Sequence, residues 1–184
     1  MSIRDAVFAT EVQRQCLSVV KVHSHLIMRG VSGNTEIESR ITYTWEKIGY
    51  VEKSFGNELK FDCEITKSPG VYKLVVDECR EIYVGEGQSL KTRIHNYAKA
   101  GWYANAPVEY TNRRVQGWLL AKLTENFRPE IYICTKSFVS FQSDGLKELD
   151  LAEKSNRLII ENLEIAQLTP NWNLQNKKKS RKSD

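Results

Sequence analysis

The stretch that decides the fold is GVYKLVVDECREIYVGEGQSLKTRIHNY, which runs from Gly70 to Tyr97. It contains two β-rich runs, residues 71–76 and 82–84, which flank a short polar segment. This pattern predicts an antiparallel hairpin. Gly85-Glu86-Gly87 is predicted to end the second strand, because closely spaced glycines interrupt regular structure.

A helix is predicted directly after the hairpin. Ser89 is suited to cap its first turn. Leu90, Ile94 and Tyr97 fall on one face of this helix, and Arg93 lies beside them on the same stripe. An arginine along a core-facing edge is harder to explain as a solvated surface residue than one on the outer face.

The chain downstream predicts a helix, a strand and a long helix. The first helix spans residues 112–127, the strand covers residues 130–134, and the long helix runs from about Gly145 to Leu168, before Pro170. With the hairpin, these elements predict an α+β fold: a small, three-stranded mixed or antiparallel sheet flanked by helices.

The long helix carries a carboxylate in an apolar stripe, where Glu161 lies among Leu158, Ile165 and Leu168. A buried carboxylate is unfavourable unless a cation or hydrogen-bond donor accompanies it. The spacing allows an ion pair between Arg157 and Glu161, and it equally allows a metal ligand. Spacing alone does not separate these two interpretations.

Residues 1–69 are predicted to form an α/β extension. Residues 2–29 have a roughly helical period, residues 30–34 break it, and two alternating strands follow near residues 41–45 and 59–65. This extension packs on the following domain, contacts DNA or mediates self-association, and the sequence does not choose among these roles.

The net charge of +4 is located at the end of the chain. Cations and anions balance up to residue 176, and the excess lies in a basic tail, residues 177–184, that includes Lys177, Lys178 and Lys179. Such a tail attracts phosphates weakly and without sequence specificity, or it serves only as a solubilising end. Arg113 and Arg114 lie in the first turn of a predicted helix, where the helix dipole is already positive and cations are unfavourable. This placement slightly favours contact with phosphates over a purely solvated position.

The four cysteines are scattered without a CxxC pair, and no apolar run is long enough to span a bilayer. The first residues have no apolar core typical of a secretory signal. These features predict a cytoplasmic protein with reduced thiols and no membrane association.

The two tripeptides Gly70-Val71-Tyr72 and Tyr83-Val84-Gly85, followed by Arg93, resemble the GIY-YIG nuclease family. The run from Glu161 through Pro170 to Asn173 is similar to the E-N-x(7)-P-x-x-N ending of the family's excision-repair branch. The resemblance covers residues 70–176, which are therefore predicted to be the nuclease domain, and does not extend to residues 1–69.

The resemblance implies a role for each matched residue. Tyr72 or Tyr83 would help to activate the attacking water, and Tyr72 is the usual general-base candidate. Arg93 would bind the scissile phosphate. Glu161 would hold one divalent metal ion, Mg²⁺ or Mn²⁺, and Asn173 would support the site from the C-terminal side.

Two positions depart from the family pattern. Tyr97 stands where many members have histidine, so it is an auxiliary phosphate-binding or proton-relaying candidate, or only a core residue. Glu86 replaces the lysine of the repair branch, and Lys73 or Lys91 are the cations that would compensate for it.

The resemblance therefore implies a metal-dependent DNA endonuclease that hydrolyses phosphodiester bonds, of a restriction type or from a phage or mobile element. Its expected partner is double-stranded DNA, with Arg113, Arg114 and Lys177–Lys179 as contacts, and a homodimer or higher oligomer is expected for double-strand cleavage. The alternative is a non-catalytic nucleic-acid-binding protein on the same scaffold.

Overall fold

The computed structural model describes residues 22–32, 35–76, 81–99, 110–141 and 144–168. Within these ranges the strands are β1 (Val22–Ser32), β2 (Thr35–Lys53), β3 (Leu59–Phe61), β4 (Gly70–Val76), β5 (Glu81–Gly87), β6 (Glu130–Cys134), β7 (Ser137–Phe141) and β8 (Asp144–Glu148). The helices are α1 (Leu90–His95), α2 (Thr111–Thr124) and α3 (Lys154–Leu168), and a short 3-10 turn covers Phe55–Asn57.

The predicted three-stranded unit is confirmed. β4 pairs antiparallel with β5 on one side and with β6 on the other, in the order β5-β4-β6. All residues of β4 except Lys73 are buried, because both faces of this central strand are covered by helices. The fold is α+β, as expected from the sequence.

Two hydrophobic cores lie on opposite faces of this unit. Tyr72 and Leu74 point to the face covered by α1 and α2, whereas Val71 and Val75 point to the face covered by α3. Successive side chains of a strand alternate between faces, so one strand supplies both cores.

The sheet is larger than the three strands predicted from the sequence. β2 pairs with β6 and continues the order to β7 and β8, while β1 and β3 also pair with β2. Strand β2, which precedes residue 69, thus shares a sheet with strands β4 to β6, which follow it, through the β2–β6 ladder. The division of the chain into domains at residue 69 stays a prediction.

The helix predicted over residues 2–29 is wrong for its described part, because Val22–Ser32 is the strand β1, paired in register with β2. Residues 1–21 lie outside the described residues. The run VHSHLIMR has alternating as well as helical spacing, and the long ladder with β2 selects the strand.

The helix predicted to begin at Gly145 is also wrong, since it begins at Lys154. The preceding residues form β7 and β8, which pair with each other, and β7 also pairs with β2. The Phe and Val content of Ser137–Phe141 was the signal for this extension of the sheet. No helix in the described ranges is long and apolar enough to cross a bilayer.

Candidate active site

Three tyrosines meet on the α1 side of the hairpin. Tyr72 comes from β4, Tyr83 from β5 and Tyr97 from the turn after α1. The hydroxyl oxygens of Tyr72 and Tyr97 are 2.5 Å apart. The hydroxyl of Tyr97 also donates to Tyr83 over 3.5 Å. Tyr97, predicted as an auxiliary residue, is therefore the link between the two motif tyrosines.

The three phenols differ in their access to solvent. Tyr72 and Tyr97 are 0% exposed and Tyr83 is 6% exposed. Burial, together with the neighbouring phenols, raises the pKa of Tyr72 and of Tyr97 well above the usual value, and the Arg93 guanidinium only partly opposes this. Both residues therefore keep their protons at neutral pH in the protein alone.

The glycines of the β5 end make room for this arrangement. A Cβ atom on Gly85 would lie 2.6 Å from Tyr72 Cζ, and one on Gly87 would lie 2.9 Å from Arg93 Cβ. Both distances are shorter than side chains tolerate. The glycines were expected to end β5, but the strand continues through Gly87, pairing Gly87 with Gly70. Their role here is steric.

Arg93 projects from α1 next to the tyrosines. Helix α1 starts where the sequence predicts, because the Ser89 side chain accepts a hydrogen bond from Thr92 N. The Arg93 guanidinium carbon lies 5.7 Å from the centre of the Tyr97 ring, and Arg93 Nη1 donates to Asn112 Oδ1 at 2.9 Å.

Asn112 is a site residue that the sequence did not reveal. It is 5% exposed although it lies in the first turn of α2. A single asparagine at a helix start is commonly explained as a capping residue. Only the tertiary structure places its side chain beside Arg93, 19 residues earlier in the chain.

Glu161 lies on the other face of the hairpin, in α3. The fully buried residues of this helix are Arg157, Ile160, Glu161 and Glu164. Of the other residues in the predicted stripe, Leu158 and Ile165 are half-buried and Leu168 is exposed. Glu161 is 9% exposed. Burial raises its pKa to about 7, the Glu86 carboxylate adds to this, and Arg93 and Lys154 oppose it.

The ion pair that helical spacing allows between Arg157 and Glu161 is not formed, because Arg157 instead binds Glu86. Arg157 Nε donates to Glu86 Oε2 at 2.7 Å, and Nη1 donates to Gln88 Oε1 at 2.8 Å. The partner is 71 residues away, so helical spacing could not indicate it. Within the described part of the chain, Glu161 has no hydrogen-bond or ion-pair partner.

This environment suits a divalent cation. Mg²⁺ and Mn²⁺ prefer carboxylate oxygens and are often held by one or two carboxylates with water completing the shell. A bound cation would favour the ionised form of Glu161, which burial alone disfavours. No cluster of three or more His, Cys, Asp or Glu ligands occurs among the described residues, so a cation here would depend on water or substrate oxygens as well.

The cations considered as substitutes for the repair-branch lysine lie elsewhere. Lys73 Nζ is 3.6 Å from Glu164 Oε2 and 4.4 Å from the centre of the Trp45 ring. The backbone N–H of Lys91 donates to Thr66 O at 2.8 Å. Burial lowers the pKa of His95, and the charges of Lys91 and Lys99 lower it further.

The predicted DNA contacts are only partly described. Arg113 and Arg114 lie in the first turn of α2 and are half-buried. They follow Asn112 directly, so this end of α2 lies next to Arg93. Asn173 and the predicted tail contacts Lys177, Lys178 and Lys179 lie outside the described residues, and their roles stay predictions.

Comparisons with known proteins agree with this arrangement. The chain is 30% identical to the UvrABC system protein C of a Chelativorans species over 124 residues, which are 59% of this chain and 19% of that protein. The chain thus spans about a fifth of the length of this relative. No protein-family profile matches the sequence.

The fold also has a counterpart among solved structures. Bacteriophage T4 EndoII, solved as a single-residue variant, matches with a TM-score of 0.51 and 18% sequence identity, over 70% of this chain and 90% of the phage chain. The fold is therefore shared at low sequence identity. With the two tripeptides on paired strands and Arg93 and Glu161 on the flanking helices, the similarities in sequence and fold agree with the resemblance of this chain to the GIY-YIG family.

Proposed function

We propose that the protein is a metal-dependent DNA endonuclease that hydrolyses phosphodiester bonds. The observation that carries this proposal is the cluster of Tyr72, Tyr83 and Tyr97 with Arg93, whose guanidinium is held by Asn112. A cation anchored in this way suits a reaction in which negative charge develops on a phosphate, and α3 supplies the buried carboxylate of Glu161.

Arg93 binds the scissile phosphate. Its guanidinium offers several N–H donors in a planar fork, which matches phosphate oxygens. Asn112 takes one of these donors and fixes the direction of the side chain. The remaining donors stabilise the charge that accumulates on the phosphate as the water attacks.

Tyr83 orients the attacking water, because it has the most exposed ring of the three tyrosines. The Tyr97 hydroxyl donates to Tyr83 and also bonds the Tyr72 hydroxyl, which helps to hold the Tyr83 phenol in place. A phenol is a poor base at neutral pH, so the role proposed for Tyr83 is to position the water.

Glu161 would hold one Mg²⁺ or Mn²⁺ ion, and Asn173 would support the site. When bound, the ion supplies Lewis-acid stabilisation of the phosphate charge. The substrate is double-stranded DNA, contacted by Arg113, Arg114 and the lysines of the tail. One site cuts one strand at a time, so double-strand cleavage requires a homodimer, a higher oligomer or two visits.

A restriction enzyme or a phage or mobile-element nuclease is the setting that we favour. Cleavage of a panel of supercoiled plasmid and phage DNAs with Mg²⁺, followed by sequencing of the ends, tests the activity and its specificity together. Arg93→Ala should reduce the rate about 100-fold or more. Arg128→Ala is the matched control, because Arg128 is exposed and pairs with Glu52 and Asp62.

Equal trace cleavage by the wild type and Arg93→Ala would reject the proposal. DNA binding without metal-dependent turnover on any substrate would instead support the alternative, a non-catalytic nucleic-acid-binding protein. Glu86, which stands in place of the repair-branch lysine, is the feature that favours this alternative.

A further inference from the structure

Two carboxylates come together at the end of β5. Glu86 is the penultimate residue of β5, and Arg157 in α3 binds its Oε2 atom at 2.7 Å. Glu161 follows Arg157 by one helical turn on the same buried face. Residues four apart in a helix are neighbours in space. The ion pair therefore places Glu86 beside Glu161.

The Glu161 carboxylate lacks a partner that would compensate for its burial. It is 9% exposed and forms no hydrogen bond or ion pair with any described residue. A carboxylate removed from water in this way is unfavourable. The protein thus keeps a buried, uncompensated carboxylate beside Glu86.

Arg157 forms no hydrogen bond or ion pair with Glu161 among the described contacts, and its Nε and Nη1 atoms bind other groups. Its Nη1 atom donates to Gln88 Oε1 and to the carbonyl oxygens of Leu151 and Ala152 at 2.7–2.8 Å. Its Nε atom donates to Glu86 alone. Carboxylates that bind metals are commonly oriented by such an outer hydrogen bond.

We propose that Glu86 and Glu161 together bind one divalent cation, with Arg157 orienting the Glu86 carboxylate. This deepens the proposed function and rests on it, since it names a second metal ligand in the same site. A lysine at position 86, as in the repair branch that the sequence resembles, could not take this role. The metal site of this chain would therefore contain one more carboxylate.

Mn²⁺ binding, measured by electron paramagnetic resonance without DNA, tests the proposal directly. Glu86→Gln and Glu161→Gln should each weaken Mn²⁺ binding about tenfold or more. Glu86→Gln keeps an oxygen that can accept from Arg157 Nε, so it removes the charge and leaves the contact. Glu86→Asp should restore part of the affinity. Glu148→Gln changes an exposed carboxylate in β8 and should have no effect.

A count of metal-bound waters separates a ligand from a residue with a structural role. The luminescence lifetimes of bound Eu³⁺ in H₂O and D₂O should show one or two additional bound waters in Glu86→Ala. A structural role would lower the affinity and leave the water count unchanged. Thermal unfolding of each variant checks that it is folded.

The outcomes distinguish this proposal from the proposed function. Unchanged Mn²⁺ affinity in Glu86→Gln, or an unchanged water count in Glu86→Ala, overturns the role of Glu86, even if the wild type cuts DNA. Absence of Mn²⁺ binding to the wild type also overturns it. Mn²⁺ binding through both carboxylates without cleavage of any DNA supports the metal site and rejects the nuclease function.

Discussion

Arg157 Nε donates a hydrogen bond to Glu86 Oε2 at 2.7 Å, which joins helix α3 to the edge strand β5. The Arg157 side chain is 4% exposed and that of Glu86 is 20% exposed. This contact fixes the face of α3 that carries Glu161 against the strand that carries Tyr83. It connects the two halves of the site.

Arg157→Ala should destabilise the protein by about 2–4 kcal/mol, because it leaves Glu86 partly buried without its cation. Arg157→Lys should recover part of this loss, since it keeps the charge without the fork of donors. Urea unfolding of the three proteins measures the difference. A free energy of unfolding of Arg157→Ala equal to that of the wild type would show that the ion pair is not stabilising.

Gly85→Ala should destabilise the protein by about 1–3 kcal/mol and displace Tyr72, because the added methyl group overlaps the Tyr72 ring. Gly117→Ala is the matched control, since a Cβ atom there meets no atom within 4 Å. It lies inside α2 and should stabilise the protein by about 0.5–1 kcal/mol. Opposite signs in thermal unfolding are expected, and equal signs would argue against the steric role of Gly85.

Asn112→Ala should lower kcat/KM for DNA cleavage about tenfold or more, because Arg93 loses the hydrogen bond that directs it. Nicking rates measured over a range of DNA concentrations separate binding from turnover. Thr124→Ala, at the exposed far end of the same helix, α2, is the control. Indistinguishable kinetics for the two variants would remove Asn112 from the site.

The tyrosines predict a pH dependence of stability. Burial raises the pKa values of Tyr72 and Tyr97 in the folded protein well above the usual tyrosine value of about 10. Their contribution is therefore fully present below about pH 10 and is lost as the pH rises through the folded-state values. The free energy of unfolding should fall above pH 10, and less steeply in Tyr97→Phe. Equal slopes in both proteins would contradict the raised pKa of Tyr97.

The sequence was sufficient for the elements whose pattern is local. The hairpin of β4 and β5, the Ser89 cap and strand β6 follow from alternation, glycines and capping chemistry. The motif tyrosines, Arg93 and Glu161 could be proposed because their order along the chain resembles that of a known family.

Features that depend on distant partners could not be predicted in the same way. Residues 22–29 have both helical and alternating periods, and only pairing with β2 decides between them. Arg157 has Glu161 at ideal helical spacing, yet it binds Glu86 across the fold. Asn112 resembles a capping residue until α2 is packed beside Arg93.

We propose that metal-dependent DNA cleavage depends on Glu161. Nicking of supercoiled plasmid with Mg²⁺ by the wild type and Glu161→Ala tests it most directly, with thermal unfolding and DNA binding measured on the same samples. Glu161→Ala should lose nicking about 100-fold or more, and it should unfold no earlier than the wild type, because it removes a buried carboxylate without a described partner. Equal nicking rates for the two proteins would contradict this account.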